Sequence, residues 1–444
     1  MTLTEFILEH ADDDTSRLIL ARDRWQDIDI DKAATIIECR KRLRTKLPEW
    51  YAVPDILYPD RLSSEQSSST STALYKAHLA ERILRCGRAA EASEGRIADL
   101  TGGLGADSLA FSRIASRVLY NEMDAERAAA ARHNFPLLGA RNIDVMSYRV
   151  EPEETGQHGF WDELRSFHPD IVYIDPARRS ATGNKVFLPE DCSPDVLTLM
   201  PGIFSIAPAM LLKLSPMADI SMLLKRLLEH GAATVELHVV ASGGECKELL
   251  LWCVPYKGNP LDTRLIVSEN RKSVTAPPAA DGNTVPRFLQ NPDRLSSVHY
   301  LFEPGKALAK AGLFNAIGSM FRSTDKGNDD TSQESEDVML KAGRSTHLYF
   351  SETKPAGDAS DFGKIFRIVS IIPLNKQGIK NFGARYPEAE VSARNIPMTS
   401  DELRKKLKVK SGGDIHIFGI RIDFGAAASS AYLIAATRHP SSQQ

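Results

Sequence analysis

Asp99-Leu-Thr-Gly-Gly-Leu-Gly105 is the stretch on which the fold turns. A short apolar run, Arg96-Ile-Ala-Asp-Leu100, leads into it, and an amphipathic segment, Ala106 to Ala115, leads out. That order is strand, glycine-rich turn, helix. Glycine reaches positive φ and lets the backbone approach a ligand closely. A helix N-terminus offers free N–H groups and the positive end of a dipole to a carboxylate or phosphate. A second apolar run, Arg117-Val-Leu-Tyr-Asn121, ends at Glu122. An acid in that position of a doubly wound sheet holds a ribose hydroxyl pair. The pattern predicts a nucleoside-containing cofactor.

Two cofactor classes fit. The dinucleotide fingerprint is G-x-G-x-x-G, and here Gly103-x-Gly105-x-x is completed by Ser108, so the third glycine is missing. An acid closing the strand, followed by Gly102-Gly-x-Gly105, instead resembles motif I of the class I S-adenosylmethionine (SAM) methyltransferases, in which the acid lies near the methionine end of the cofactor. A glycine turn in an empty α/β domain is the plainer alternative. Glu122 and a second motif argue against it.

The second motif is Asp170-Ile-Val-Tyr-Ile-Asp-Pro-Ala-Arg-Arg179, a strand of buried composition ending in Asp175-Pro176. It resembles the Asp/Asn-Pro-Pro-aromatic strand end of methyltransferases that modify a base, where SAM meets its target. Methyl transfer is an in-line displacement on an activated carbon, so positioning supplies most of the catalysis. Pro176 fixes φ and stiffens the loop. The resemblance assigns Asp175 and Pro176 to the acceptor; Arg178 and Arg179 are expected to meet phosphate or the base, as arginine forks do. Asp-Pro-Ala-Arg also resembles the RNA 5-methyluridine methyltransferases, which attack with a cysteine placed after the next strand. Here that strand, Met210-Leu-Leu-Lys-Leu214, runs into Ser215-Pro216, and Cys192 stands in the preceding loop. Nitrogen methylation follows by exclusion.

The chain has 444 residues, enough for several domains. Its net charge of −3 excludes a global polyanion binder, so nucleic acid must be met by a local patch. Cysteines 39, 86, 192, 246 and 253 form no C-x-x-C pair and no metal-ligand spacing. No metal is expected, and the odd count suits a reducing cytoplasm. The first residues carry no basic and apolar leader pattern, and no apolar run has the length of a membrane helix. A cytoplasmic protein without membrane contact is expected. Oligomeric state is left open.

Residues 1–60 read as a helical N-terminal region, with Asp31 expected to cap a helix through Lys41. The run Arg40-Lys-Arg-Leu-Arg-Thr-Lys46 is basic. The segment Leu62-Ser-Ser-Glu-Gln-Ser-Ser-Ser-Thr-Ser-Thr72 has linker composition, yet it abuts the first strand and reads equally as a lid over the cofactor. From 95 to 255 strands and helices alternate, which implies a parallel sheet covered on both faces, with strands near 96–100, 117–121, 143–147, 171–175, 209–214, 233–241 and 248–254. No acid follows the third strand near Ser147-Tyr-Arg149 to meet an adenine amino group. Thr324 to Asp337 is polar and acidic and reads as disordered. Residues 364–437 read as strand, helix, strand, helix, strand, strand, with Thr399 and Glu402 forming a capping box.

Taken whole, the chain resembles a bacterial family of class I SAM-dependent methyltransferases with a C-terminal THUMP-like domain. The resemblance rests on the Ser-rich segment with Thr72-Ala-Leu-Tyr-Lys-Ala77, the Asp99–Asp107 turn, Asp175-Pro-Ala-Arg-Arg179, Leu212-Lys-Leu-Ser-Pro216 and Tyr300-Leu-Phe-Glu-Pro304. It implies an α/β fold: a Rossmann-like methyltransferase sheet at 61–258, a small ferredoxin-like element at 259–323, a disordered linker at 324–343, and an α+β THUMP-like domain at 344–444. It further implies SAM contacts at Gln66, Asp99, Thr101, Gly102, Gly103, Gly105, Asp107, Ser108, Glu122 and Met123. RNA, as tRNA or rRNA, is the expected partner, captured in part by Arg404, Lys405 and Lys406. An NAD-dependent oxidoreductase, or a SAM-binding protein without transferase activity, are the competing readings.

Overall fold

The structure, a computed structural model, describes residues 1–87, 95–155, 158–178, 189–258, 263–276, 285–321, 338–424 and 428–438. The chain forms two compact units: Met1–Leu237 with Glu248–Thr263, and His238–Lys247 with Arg264–Gln444.

The first unit holds strands β1 (Arg96–Asp99), β2 (Arg117–Asn121), β3 (Ile143–Met146), β4 (Ile171–Ile174) and β5 (Ala209–Leu214), the first part of β6 (Ala232–Ser242) and most of β7 (Glu245–Pro255). Their order is 3-2-1-4-5-7-6. Pairings among β1 to β5 are parallel, and β7 runs antiparallel to β5. All four residues of β4 are buried, as a strand covered on both faces requires. Asp124, Asp195 and Asp219 cap the helices Ala125–Leu137, Val196–Ile206 and Ile220–Glu229 through their side-chain oxygens. A further helix, His158–Phe167, precedes β4.

The N-terminal helices Leu3–Glu9, Thr15–Leu20, Ile30–Lys46 and Pro48–Ala52 are not a separate body. Phe6, Ile37, Leu43 and Trp50 share one buried cluster with Leu104, Leu109, Tyr120 and Phe135 of the sheet region. Asp29, not Asp31, caps the long helix: its Oδ1 accepts from Lys32 N at 3.0 Å, and Asp31 falls in the first turn. The Ser-rich segment is no linker. It forms the helix Arg61–Gln66 and the start of Thr70–Gly87, because the Asp60 and Ser63 side chains satisfy backbone groups locally and Ser68 is buried.

In the second unit a seven-stranded sheet has the order Leu340–Lys341, Tyr349–Ser351, Tyr300–Pro304, Gly363–Pro373, Ala428–Arg438, Ile415–Phe424, Glu390–Arg394. Only the last pair named is parallel. Tyr300–Pro304 hydrogen-bonds along Gly363–Arg367, so the expected boundary between 259–323 and 344–444 is replaced by one continuous sheet. Within the expected linker, Leu340–Lys341 is an edge strand; the polar stretch 324–337 lies outside the described residues. The helices Lys376–Arg385 and Ser400–Leu407 pack Phe382, Leu403 and Leu407 into one core with Ile417 and Leu433. The Thr399/Glu402 capping box forms in both directions. The second helix stops at Leu407, with Lys408 in the left-handed region at φ 56°.

Candidate active site

The strand order reverses between β1 and β4, and ligands of open α/β sheets bind beyond the strand ends at such a point. Asp99 closes β1 and Asp175 follows β4 directly. The turn between Asp99 and the helix Ala106–Phe111 depends on its glycines. Gly105 has φ 97°, and a Cβ on Gly102 would lie 2.0 Å from the Tyr120 ring. Tyr120 also donates its hydroxyl to Gly103 O at 2.6 Å. An aromatic floor thus holds the turn from below, and any side chain at Gly102 would lift it.

The acidic groups are fixed by donors. Asp99, 1% exposed, accepts Thr101 N at 3.1 Å and the Ser108 hydroxyl at 2.6 Å. Burial pushes its carboxyl up to about 7 against those hydrogen bonds, with Asp107 and Asp175 adding repulsion. Glu122 accepts Gly103 N at 2.9 Å and Asp124 N at 3.0 Å. Thr101 Oγ1 accepts Asp175 N at 2.7 Å, which ties the glycine turn to the Asp-Pro loop. Pro176 is buried. Ala177–Arg178 pairs with Cys192–Ser193, placing Cys192 across from Arg178, an arrangement that counting along the chain does not reveal. Arg179 lies outside the described residues. Gln66 and Met123 are exposed, Met123 at 66%.

Behind this rim lies a charged cluster whose pairings the motifs did not announce. Lys76, fully buried, lies 3.0 Å from Glu248, 3.2 Å from Asp107 and 2.9 Å from the Ser68 hydroxyl. Asp107 also accepts the hydroxyls of Ser68 at 2.9 Å and Tyr173 at 2.8 Å. Its carboxylate is therefore engaged by protein groups, and the two lysines hold it below the usual carboxylate range against burial. Lys213 Nζ meets Asp175 Oδ2 at 2.6 Å and stands 3.9 Å from Glu248. Those carboxylates hold its ammonium above the usual lysine range despite burial. Burial pushes Glu248 up. Asn121 bonds to Leu100 O and to both backbone groups of Tyr148, clamping the ends of three strands. The signal for Lys213 and Glu248 was present: each is a charge set against an apolar strand run, Met210-Leu-Leu-Lys-Leu214 and Glu248-Leu-Leu-Leu-Trp252. Such residues are seldom buried without a partner.

Among the described residues, Lys76 and Lys213 pair with Asp107, Glu248 and Asp175, and Asp99 adds a fourth carboxyl beside Asp107 and Asp175. With every group ionised, carboxylates outnumber ammonium groups, which favours a cationic ligand. Among the described residues no group of acidic, histidine and cysteine side chains could hold a metal ion, and no helix is long and apolar enough to cross a membrane.

On the second unit the helix Ser400–Leu407 turns Lys405 and Lys406 to solvent, with Lys408 and Lys410 just beyond. Arg404 is half-buried and pairs with Asp401 at 2.8 Å. Arg394 pairs with Glu303 at 3.0 Å.

Residues 363–437 match the THUMP domain-like family. No curated protein sequence matches the chain. Among solved structures, a provisionally assigned methyltransferase from Porphyromonas gingivalis W83 is 28% identical, covers 99% of this chain with 98% of its own, and superposes with a TM-score of 0.76. The 16S rRNA N2 G1207 methyltransferase of T. thermophilus, solved with AdoMet and guanosine, is 16% identical over 43% of this chain and 44% of its own, at a TM-score of 0.30. A provisionally assigned RNA methyltransferase from Pyrococcus horikoshii is 14% identical over 48% of this chain and 99% of its own, at 0.32. The chain joins a methyltransferase-type α/β sheet, preceded by helices, to a C-terminal α+β domain of the THUMP-like kind.

Proposed function

We propose that the chain transfers the methyl group of S-adenosylmethionine to a base nitrogen of structured RNA. The observation that carries this is the convergence of Asp99, Thr101 and Asp175 at the switch point of the sheet, joined by the Thr101–Asp175 hydrogen bond. When bound there, the cofactor supplies a methyl group activated by positively charged sulfur. The surplus of carboxylates suits that cation and the ammonium of its methionine part. Asp99 would accept from the ammonium, the turn from Thr101 to Gly105 would leave room for the chain of the methionine, and Glu122 would accept from the ribose hydroxyls. Met123, exposed just beyond β2, offers an apolar surface for the adenine, and Gln66 stands on the preceding helical segment. Ser108 acts through Asp99 and Asp107 through Lys76, so both shape the site from behind.

Asp175 and Pro176 would hold the acceptor base, with Arg178 and Arg179 toward the RNA backbone. Lys405 and Lys406 would neutralise phosphates of a structured RNA, a contribution that salt weakens. The nicotinamide reading is weaker, because Ser108 takes the place of the third glycine and spends its hydroxyl on Asp99.

Titration calorimetry tests the cofactor. Heat of binding is expected with SAM and S-adenosylhomocysteine and none with NAD; the opposite pattern would overturn the proposal. A chain that binds SAM yet labels no RNA, DNA or protein pool would be a SAM-binding protein without transferase activity.

A further inference from the structure

We propose that the acceptor is the ring nitrogen of a lactam, N1 of guanine or N3 of uracil, gripped by the Asp175–Lys213 pair. This rests on the reading of the chain as a SAM-dependent methyltransferase of RNA and narrows it to one kind of atom. Carboxylate and ammonium stand side by side at the site, with Asp175 Oδ2 2.6 Å from Lys213 Nζ. The Asp175 side chain is 33% exposed and that of Lys213 15%, so neither is fully closed off from solvent. A carboxylate only accepts hydrogen bonds and an ammonium only donates them. The matching partner shows an N–H beside a C=O, which is the lactam edge of guanine or uracil. Adenine and cytosine also place an N–H, on the exocyclic amine, beside an acceptor, the ring nitrogen, so hydrogen bonding alone admits them. Reactivity separates the two: an ammonium on that ring nitrogen draws electrons from the exocyclic amine and weakens it as a nucleophile, whereas an ammonium on a lactam carbonyl eases loss of the N–H proton.

The same pair answers the chemical difficulty of that atom. A lactam nitrogen has its lone pair delocalised into the carbonyl and attacks only as its proton leaves. In the step proposed, the N–H bond breaks and its proton passes to Asp175 Oδ1. The nitrogen lone pair forms the N–CH3 bond as the C–S bond breaks, and that electron pair stays on sulfur. Negative charge developing on the carbonyl oxygen is met by Lys213 Nζ, and the proton on Asp175 leaves to solvent through its exposed edge. The pair is held in place from behind. Asp175 N is anchored on Thr101 Oγ1 at 2.7 Å. Glu248, 3.9 Å from Lys213, is itself held by Lys76 at 3.0 Å. The ammonium therefore has a fixed position before substrate arrives, as electrostatic stabilisation of a developing oxyanion requires.

The test incubates the full-length chain with methyl-labelled SAM and total RNA from a strain lacking it, then identifies the labelled nucleoside by mass spectrometry. Label on N1 of guanosine or N3 of uridine is expected. Label on an exocyclic amine, on a ribose hydroxyl, or on pyrimidine C5, where Cys192 would become the candidate nucleophile, overturns the inference and leaves the methyltransferase reading standing. SAM binding with no labelled RNA overturns both. Lys213→Met is expected to lower kcat about 100-fold at neutral pH, the scale of losing one oxyanion donor. Its rate should recover as pH rises, because base then replaces the missing ammonium in easing proton loss. Among the described residues, the charged groups around the pair are Glu248 and Asp107, with Lys76 behind them, on the Lys213 side and Asp99 on the Asp175 side. Lys213→Arg, which keeps the charge and the fold, should restore most of the neutral-pH rate. An unchanged pH profile in folded Lys213→Met, or equal losses in both variants, would reduce Lys213 to a packing role.

Discussion

Burial pushes the Asp99 carboxyl up to about 7, with Asp107 and Asp175 adding repulsion and the Ser108 and Thr101 donors opposing. In an unfolded chain the same group titrates near 4. Between those values the folded state holds a proton that the unfolded state has released, so this group's contribution to stability falls as pH rises from about 4 to 7. A cation placed against Asp99 reverses that, since it favours the charged form. The thermal shift produced by SAM should therefore be larger at pH 8 than at pH 6, and Asp99→Asn should flatten the difference while weakening SAM binding; equal shifts at both pH values would remove Asp99 from the cofactor site. Lys76 makes a different prediction. Lys76→Met leaves Asp107 and Glu248 buried with only the more distant Lys213 as counter-charge, and breaking one side of a buried pair costs about 3–5 kcal/mol. Adding Glu248→Leu should recover a large part, read by urea unfolding as a double-mutant cycle. Asp99, Glu122 and Asp175 were legible because each ends an apolar run at a turn. For Lys76, Lys213 and Glu248 the sequence shows charges set against apolar runs, but not which charge meets which, because each partner lies far along the chain and spacing carries no sign of it.

The helix Ser400–Leu407 shows what periodicity reveals and where it stops. Leu403 and Leu407 face the core and the lysines face out, as the spacing predicts. The pairing of Arg404 with Asp401 does not follow from a charge run. It changes the expected result of replacing Arg404, Lys405 and Lys406 by glutamate. RNA affinity should drop, and the salt slope should fall by about two rather than three, because each lost phosphate contact lowers it by about one and Arg404 is already engaged. Filter binding across a salt series measures this; an unchanged slope would make the face a solvated one, with RNA met elsewhere. Strand positions in the first unit were legible for a plain reason: parallel strands buried on both faces read as apolar runs. Cap positions were less so. Asp29 and Asp31 are both good caps by type, and only the backbone geometry decides between them.

Each compact unit has its own buried clusters, one uniting the N-terminal helices with the sheet region around Tyr120 and Phe135, another around Phe366, Phe418 and Ile434. The expected partition missed this grouping, because composition marks a boundary near 260 but says nothing of Tyr300–Pro304 pairing with Gly363–Arg367. Two cores predict two calorimetric unfolding transitions. SAM at a hundred times its Kd should raise the stability of the transition containing the first unit by about 2.7 kcal/mol and leave the other in place. Movement of the second alone would put the cofactor on the wrong unit.

The ion pair between Lys76 and Glu248 spans 172 residues of chain. Ribosomes add about 5–20 residues per second, so Lys76 leaves the ribosome within seconds of Asp107 but roughly 10 to 30 s before Glu248, the second of its carboxylate partners. During that interval the helix Thr70–Gly87 carries an ammonium with only one of its two carboxylate partners, and the sheet is still missing β7. The charge balance behind the cofactor motif is completed only when the last antiparallel strand is made. A synthesis arrested before Glu248 would leave a chain whose cofactor motif is complete in letters and whose supporting charges are not yet in balance.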